Sequence, residues 1–128
     1  MTFAYWMVLL AALMPYFCAL YAKKAGGFDF TRDNADPRAF LAKTEGVAAR
    51  ANAAQQNGFE SFAPFAAAVI IAHATGGAAQ GTINFWAFVF IAARAAYIWC
   101  YINDKPYLRS LSWAVGLLCI VCLFVAAA

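Results

Sequence analysis

The second apolar segment of this sequence contains a stripe of polar side chains that could bind a ligand or take part in catalysis. Arg50, Asn57 and Glu60 are spaced i, i+7 and i+10. At about 100° per residue, this spacing places them within roughly an 80° arc on one face of a helix. A guanidinium pairs with carboxylates, an amide bonds other amides, and a carboxylate receives an ammonium group. Together with a second such stripe on a facing helix, this one would suit an anionic, amide-rich small molecule.

A second polar stripe occurs in the third apolar segment. Arg94, Tyr97 and Tyr101 are spaced i, i+3 and i+7, which again is one face of a helix. Tyrosine hydroxyls donate hydrogen bonds, and arginine keeps its positive charge at any physiological pH. Arg109 opens the last apolar segment, close in sequence to the Tyr101 end of this stripe.

Two polar stripes on facing helices predict a cleft between them. Ionisable residues inside membrane segments are costly and often functional. We therefore expect Arg50, Asn57 and Glu60 to form a buried polar network with Arg94 of a facing helix. This network should include a carboxylate–guanidinium contact between Glu60 and Arg94. An alternative interpretation gives Arg50 or Arg94 only a structural task, which is to pair with Glu60 and hold two helices together.

These stripes belong to a chain that is too apolar to be a soluble domain. Of its 128 residues, 66% are hydrophobic and 12% are charged, whereas soluble domains average about 45–50% and about 25%. A small domain buries too little of its surface to hide so much apolar area from water. Lipid must therefore cover much of the chain. The net charge of +3, without any basic run, does not indicate nucleic-acid binding.

Four segments are long enough to cross a bilayer, whose core of about 30 Å needs about 20 apolar residues. The predicted helices are about 2–22, 37–74, 84–103 and 107–127. Asp36 suits an N-cap and Pro37 the first helical position, while Pro64 predicts a kink. The sequence predicts an all-α fold, a four-helix membrane bundle in one domain over 1–128. It has no internal repeat, which disfavours a small transporter.

The distribution of lysine and arginine predicts the orientation. The first loop with the start of the second helix, and the third loop with the residues just beyond it, carry this charge: Lys23, Lys24, Arg32, Arg38, Lys43, Lys105 and Arg109. The second loop and both termini carry none. The positive-inside rule therefore places both termini outside the cytoplasm and the polar stripes towards it.

The cysteines and the histidine are not predicted to bind a metal. Cys18, Cys100, Cys119 and Cys122 all lie in apolar stretches, where free cysteine packs as a small hydrophobe. Cys119 and Cys122 have a CxxC spacing, but no other ligand lies near them in the sequence. His73 is the only histidine, and we interpret it as a capping or interfacial residue at the outer end of the second helix.

The two polar stripes lie within longer patterns. Arg50 to Phe65 reads RANAAQQNGFESFAPF, and Ala93 to Ser110 reads ARAAYIWCYINDKPYLRS. These stretches resemble the second-helix and third-helix signatures of the MAPEG family, the membrane-associated proteins of eicosanoid and glutathione metabolism, in a bacterial-type member. Helix number, loop positions and orientation also agree, so the resemblance covers nearly the whole chain.

The resemblance implies a homotrimer that binds glutathione, as a substrate, between adjacent subunits near the cytosolic face. It further implies glutathione transferase or glutathione-dependent peroxidase activity towards lipophilic small molecules held in the membrane lipid. The glutathione contacts that it implies are Asn57, Glu60, Arg94, Tyr97 and Tyr101. Arg109 is then the catalytic group that stabilises the thiolate, because a nearby arginine lowers the pKa of a thiol.

One position departs from the family pattern. The eicosanoid-type members carry an arginine four residues before the asparagine, and this chain has Ala53 there. Arg50, one turn earlier on the same face, is the residue that we expect to take its place in glutathione binding. The alternative function is that of a non-catalytic membrane protein with the same fold, which binds a lipid or a partner subunit.

Overall fold

The chain folds into a bundle built only from helices. A computed structural model describes all residues, Met1 to Ala128. The helices are α1 (Phe3–Gly26), α2 (Phe30–Asp33), α3 (Pro37–Ala42), α4 (Gly46–Thr75), α5 (Gln80–Ile102) and α6 (Pro106–Ala127). Four of them, α1, α4, α5 and α6, are long and apolar enough to cross a membrane. The prediction of an all-α, multi-pass integral membrane protein is confirmed.

The four spans pack closely because small residues lie where they touch. The most extensive contacts join α1 to α4 and α5 to α6, and α4 also packs against α5 and α6. A Cβ atom on Gly58 of α4 would lie only 2.8 Å from Cγ of Pro15 in α1. In the core, the buried rings of Phe65 and Phe90 stack with their centroids 3.8 Å apart.

Large apolar side chains cover the outside of the spans. Trp6, Phe17 and Leu20 are more than half exposed, and so are Phe88 and Val125 on other spans. A soluble monomer rarely shows so large a contiguous apolar surface. These side chains suit contact with lipid, or with another membrane-embedded chain.

The region before α4 differs from its prediction. The predicted helix over 37–74 is divided into α3 and α4 by residues 43–45. Gly46 begins α4 with φ at +59°, a conformation that suits glycine because it has no Cβ. The start of α3 matches its prediction, since Asp36 accepts from the Ala39 N–H at 3.0 Å.

The other helix bounds differ by a few residues. Helix α1 runs on to Gly26 and ends at Gly27, whose φ is +74°. Helix α5 begins at Gln80, four residues before its predicted start, and α6 begins at Pro106. Helix α4 continues through Pro64, which has no N–H to donate to the carbonyl four residues earlier.

The bundle has two unlike ends. At one end lie the loop over residues 27–45 and the turn over residues 103–105, which we call the basic end because the lysines gather there. The opposite end, which we call the His73 end, holds both chain termini and the short loop over residues 76–79. There a Cβ on Gly77 would lie 3.4 Å from the carbonyl oxygen of Ala127.

Candidate functional site

Arg94 is a buried charge in the middle of the bundle. It lies on α5 with only 4% of its surface exposed. Its Cζ lies 4.2 Å from the ring centroid of Tyr97, but its Nη2 atom is buried and has no hydrogen-bond partner. A buried guanidinium with an unfilled donor is unfavourable, so this group is suited to meeting an acceptor from outside the chain.

A cavity of about 230 Å³ lies beside Arg94, where α4, α5 and α6 meet. Its lining combines polar groups with an apolar wall: Asn57, Glu60, Ser61, Pro64, Phe90, Arg94, Trp113, Gly116, Leu117 and Ile120. Asn57 donates from Nδ2 to Glu60 Oε2 at 3.2 Å, while its Oδ1 is buried without a partner. Two of the residues that line the cavity thus carry, just behind its surface, a donor and an acceptor without partners.

The expected ion pair between Glu60 and Arg94 is absent, so that prediction was wrong for the single chain. The salt bridge that the chain contains joins Arg32 to Asp33 in the first loop. Glu60 is exposed while Arg94 is buried. Helical spacing gives the direction of a side chain around its own helix, but not how deeply each helix packs. The structural alternative, in which Glu60 pairs with Arg50 or Arg94, is also wrong for the single chain, because Glu60 forms a salt bridge with neither arginine.

Arg50 lies away from this cavity. Its Nε donates to the carbonyl oxygen of Ile102 at 3.2 Å. That carbonyl belongs to the C-terminal end of α5, where a cation is favoured by the unpaired carbonyls and the helix dipole. The structure therefore brings Asn57, Glu60 and Arg94 together around one cavity but does not bring Arg50 to it.

The second stripe forms a continuous stack with Arg109, which we call the Arg–Tyr stack. From Arg94 it passes to Tyr97, whose ring meets that of Tyr101 edge to face with centroids 5.5 Å apart. Arg109 of α6 then lies over Tyr101, with its Cζ 4.6 Å from the ring centroid. Cation–π contact holds a guanidinium without neutralising it. The stack therefore keeps two positive charges, one in the bundle and one towards the basic end.

Tyr97 fixes the middle of this stack. It is 6% exposed and packs in a small cluster with Cys18 of α1 and Ala54 of α4. Two other spans thus pack against this residue of α5. Because Tyr97 is held so tightly, both ends of the stack have a defined position, which is what a binding site requires of its supporting residues.

A polar cluster at the His73 end was missed from the sequence. His73 Nε2 lies 2.9 Å from the Thr2 hydroxyl and 3.3 Å from Gln80 Nε2. Its Nδ1 lies 2.7 Å from the carbonyl oxygen of Val69, which can only accept. Nδ1 therefore donates, and in the neutral ring Nε2 accepts. The ring also stacks on Tyr5, with centroids 4.3 Å apart.

Asn84 extends the same cluster. Its Oδ1 accepts from Gln80 Nε2 at 2.9 Å and from the backbone N–H of Ala4 at 3.2 Å. The sequence did contain a pattern that could have predicted this cluster. Three apolar segments each carry a polar residue near the end that lies at this side of the bundle, namely Thr2, His73 and Asn84. No group of three or more His, Cys, Asp or Glu residues is placed to hold a metal ion anywhere in the chain.

The sequence model of the MAPEG family matches residues 3–128. The match includes all four candidate spans, the cavity beside Arg94 and the Arg–Tyr stack. No curated protein and no solved structure matches the chain.

Proposed function

The chain belongs to the MAPEG family, and we propose that it binds glutathione and activates its thiol for attack on lipophilic electrophiles. The observation that carries this proposal is the buried Arg94, which shares a cavity with Asn57 while Nη2 of one and Oδ1 of the other lack partners. Glutathione offers carboxylates to a guanidinium and amide N–H groups to a carbonyl oxygen. It therefore satisfies both unfilled atoms.

The other proposed contacts come from the cavity lining, from the Arg–Tyr stack and from Arg50. Glu60 is the acceptor for the ammonium group of the tripeptide, since its carboxylate forms no ion pair in the chain. The hydroxyls of Tyr97 and Tyr101 donate to its carboxylates or amides. Arg50 is the least supported contact, because its guanidinium is engaged at the Ile102 carbonyl. In an oligomer, Arg50 would contact the tripeptide bound at the neighbouring subunit.

Arg109 is the catalytic residue in this proposal. A thiol of pKa about 8.5 is mostly protonated at neutral pH, and an adjacent cation favours the thiolate. Arg109 is held over Tyr101 and has no carboxylate partner, so its charge is free to act on the sulfur. The thiol proton passes to water. The thiolate then forms a sulfur–carbon bond as the leaving group departs with its electron pair, so no protein nucleophile is needed.

The same thiolate also suits a peroxidase reaction. It attacks one oxygen of a lipid hydroperoxide, the O–O bond breaks, and the released alkoxide takes a proton to become an alcohol. A second glutathione thiolate then attacks the sulfenic sulfur. Glutathione disulfide forms and the hydroxyl group leaves, after protonation, as water. Both reactions need the glutathione sulfur beside Arg109 and an electrophile arriving from the lipid.

We propose that the working unit is a homotrimer. The cavity of about 230 Å³ is smaller than the roughly 300–1,000 Å³ that usually encloses a small ligand. Gln55 Oε1 on α4 is also buried without a partner, and Glu60 faces outward. A second copy would complete the site. Native mass spectrometry of the detergent-solubilised protein should give three chains, and a monomer would contradict the proposal.

We also propose that the basic end faces the cytoplasm and both termini lie outside it. A fluorescent protein that matures only in the cytoplasm should stay dark when fused after Ala128. The same reporter inserted after Asp104, in the turn between α5 and α6, should be bright. Fluorescence from the Ala128 fusion would reverse this orientation and place the Arg–Tyr stack on the other side of the membrane.

Calorimetric titration of the purified protein with glutathione tests binding, and thiolate ultraviolet absorbance tests activation. Wild-type protein should bind and show the thiolate signal near neutral pH. Arg109→Ala should lose that signal and its turnover while it keeps most of its affinity. Arg38→Ala, which removes an arginine of the basic end outside the cavity, is the matched control and should behave as wild type.

The outcomes separate the possible roles. If Arg109→Ala keeps the full thiolate signal and rate, Arg109 is not the activating group, and Tyr97 or Tyr101 takes that place. If the folded wild-type protein shows no heat of binding, the glutathione proposal fails. The second candidate then applies, a non-catalytic protein that binds a lipid or a partner subunit. Ala53 at the position of the family arginine and the engagement of Arg50 by Ile102 favour that candidate.

A further inference from the structure

A second hollow lies on the outside of the bundle, between α1 and α5. It has a volume of about 390 Å³, and every residue that lines it is apolar or aromatic. We call it the α1–α5 groove. It shares no lining residue with the cavity beside Arg94. Its function is therefore a separate question from glutathione binding.

The groove runs along the helix axes. Met14, Phe17 and Tyr21 line it from α1 at i, i+3 and i+7, and Ala95 and Ile102 mark its length on α5. Seven residues of helix rise by about 10 Å. Since both helices are membrane spans, the groove lies parallel to the acyl chains of the surrounding lipid and reaches the basic end at Tyr21.

A positive charge continues the groove beyond its apolar part. Lys24 lies in the last turn of α1, one turn after Tyr21, and is exposed. At about 100° per residue, it points within roughly 20° of the direction of Phe17. Lys23 is next to it and lies over the ring of Phe28, with Nζ 4.6 Å from the centroid. The apolar α1–α5 groove suits the acyl chain of an anionic lipid, and the lysine at its end suits the negatively charged headgroup.

We propose that the α1–α5 groove binds one acyl chain of an anionic phospholipid, whose phosphate pairs with Lys24. The chain fills the apolar hollow between Phe17 and Trp99, and the headgroup lies at the basic end. An α-helix with its side chains is about 10–12 Å wide. Over its length of about 10 Å, a hollow of about 390 Å³ is too narrow to enclose a helix of that width, so a flexible acyl chain fits it more readily than a helix from a second copy.

Trp99 lines the groove and is 57% exposed, so it can report on the lipid that occupies it. The other three tryptophans, Trp6, Trp86 and Trp113, are replaced by phenylalanine in the full chain, and circular dichroism checks the fold. The protein is placed in phosphatidylcholine bilayers with a small fraction of brominated lipid. Brominated phosphatidylglycerol should be about fivefold enriched at Trp99 over brominated phosphatidylcholine, the factor expected for one lysine near the headgroup.

Matched variants identify the two parts of the site. Lys24→Gln should bring the preference for phosphatidylglycerol close to one, while Lys43→Gln, with the same loss of charge elsewhere at the basic end, should leave it unchanged. Ala95→Phe fills the groove and should reduce quenching by both brominated lipids. Ala96→Phe changes an exposed neighbour that does not line the groove, and it should have no effect.

Three outcomes would overturn the proposal. Equal quenching of Trp99 by the two brominated lipids would mean that the groove does not select an anionic headgroup. Loss of the preference in Lys43→Gln as strongly as in Lys24→Gln would mean that only the overall charge of the basic end matters. Trp99 that neither lipid quenches would mean that another protein surface, such as a second copy of the chain, covers the groove.

Discussion

Polar side chains gather at two places in the bundle, and the two places differ in how well the polar atoms are paired. At the His73 end, the ring nitrogens of His73 and the side-chain oxygens of Thr2 and Asn84 all have partners within the chain. Around the cavity, Arg94 Nη2 and Asn57 Oδ1 have none. The same membrane-spanning chain therefore pairs its polar atoms at the His73 end but leaves two of them without partners nearer the basic end.

Under the proposed function, this difference distinguishes a structural cluster at the His73 end from a binding site around the cavity. A fully paired buried network stabilises one arrangement of the helices, whereas an unpaired buried group costs free energy in the isolated chain. The cost at Arg94 is removed only when an acceptor arrives. We therefore expect substitutions at His73 to change stability and substitutions at Arg94 to change binding.

The largest effect is expected for Arg94→Met, which keeps much of the side-chain length and removes the charge. Glutathione affinity should fall by about 100-fold, since hydrogen bonds to charged groups contribute roughly 1.5–3 kcal/mol. The unfolding temperature in detergent should not fall, because an unpaired buried charge is lost. Calorimetry and thermal unfolding on the same sample measure both. A large drop in unfolding temperature would show that Arg94 already has its partners within the chain.

The next effect is expected for His73→Phe, which keeps a ring to stack on Tyr5 but removes both nitrogens. The Thr2 hydroxyl and the Gln80 amide each lose a partner, so the free energy of unfolding should fall by about 2 kcal/mol. Gln80→Leu removes both the 3.3 Å contact to the ring and the 2.9 Å bond to Asn84 Oδ1, but Gln80 is exposed, so this variant should cost less. Glutathione binding should not change in either variant. Weakened binding in His73→Phe would contradict the division between the two regions.

A pair of glycines compares the packing of the two regions. Gly58 follows Asn57 and packs against Pro15, so that a Cβ added to Gly58 would lie only 2.8 Å from Cγ of Pro15. A Cβ added to Gly81 would have no neighbouring atom within 4 Å. Gly58→Ala forces α1 and α4 apart and should cost about 1–2 kcal/mol of stability. Gly81→Ala should stabilise α5 by up to about 1 kcal/mol. Chemical denaturation measures both, and equal effects would mean that the contact at Pro15 adapts freely.

The smallest effect is expected in the first loop, where water competes with the same kinds of contact. The hydrogen bond from Arg32 lowers the pKa of Asp33 from 3.8 to about 2, and the Thr31 hydroxyl lowers the pKa of Asp29. A lowered carboxyl pKa stabilises the fold above the unfolded-state value, and this contribution is lost as the pH falls through the folded value.

Acidification from pH 3.8 towards about 2 should therefore loosen the loop over residues 27–36. Hydrogen exchange, corrected for intrinsic rates, should rise there and stay low in the spans. Asp29→Asn is the control. It removes one of the two titrating groups, so the rise in hydrogen exchange of the loop on acidification should be smaller. The unfolding temperature of the whole bundle should not drop over the same range. If it does, the ion pair of Arg32 and Asp33 contributes more to stability than exposed pairs usually do.

Most of the fold could be predicted from the sequence because the apolar segments are long and the charges mark their ends. The division between α3 and α4 was missed because the signal lay in backbone conformation. Gly46 takes a positive φ there, and nothing in the composition of residues 43–45 stops a helix. Helix α2 was missed for a similar reason, since it spans only four residues behind the Asp29 cap.

The candidate site could be predicted only in part. Spacing placed Asn57 with Glu60, and Arg94 with Tyr97 and Tyr101, because one helix fixes each set. The relation between sets depends on how neighbouring helices rotate and how deeply they pack, which spacing does not contain. For that reason the expected pair between Glu60 and Arg94 did not form, whereas the stack of Arg109 on Tyr101 was not foreseen.

Pro64 has a consequence for how the cavity can be probed. Since proline has no N–H, the main-chain carbonyl of Glu60, four residues earlier, lacks the donor that a regular helix supplies. Glu60 and Pro64 both line the cavity, so we expect this carbonyl to act as a further acceptor, beside the carboxylate, for a ligand bound there. Changing Glu60 to any other residue leaves this carbonyl in place, so substitutions of Glu60 alone would not detect it. Replacing Pro64, which restores the N–H, is the substitution that would remove this acceptor.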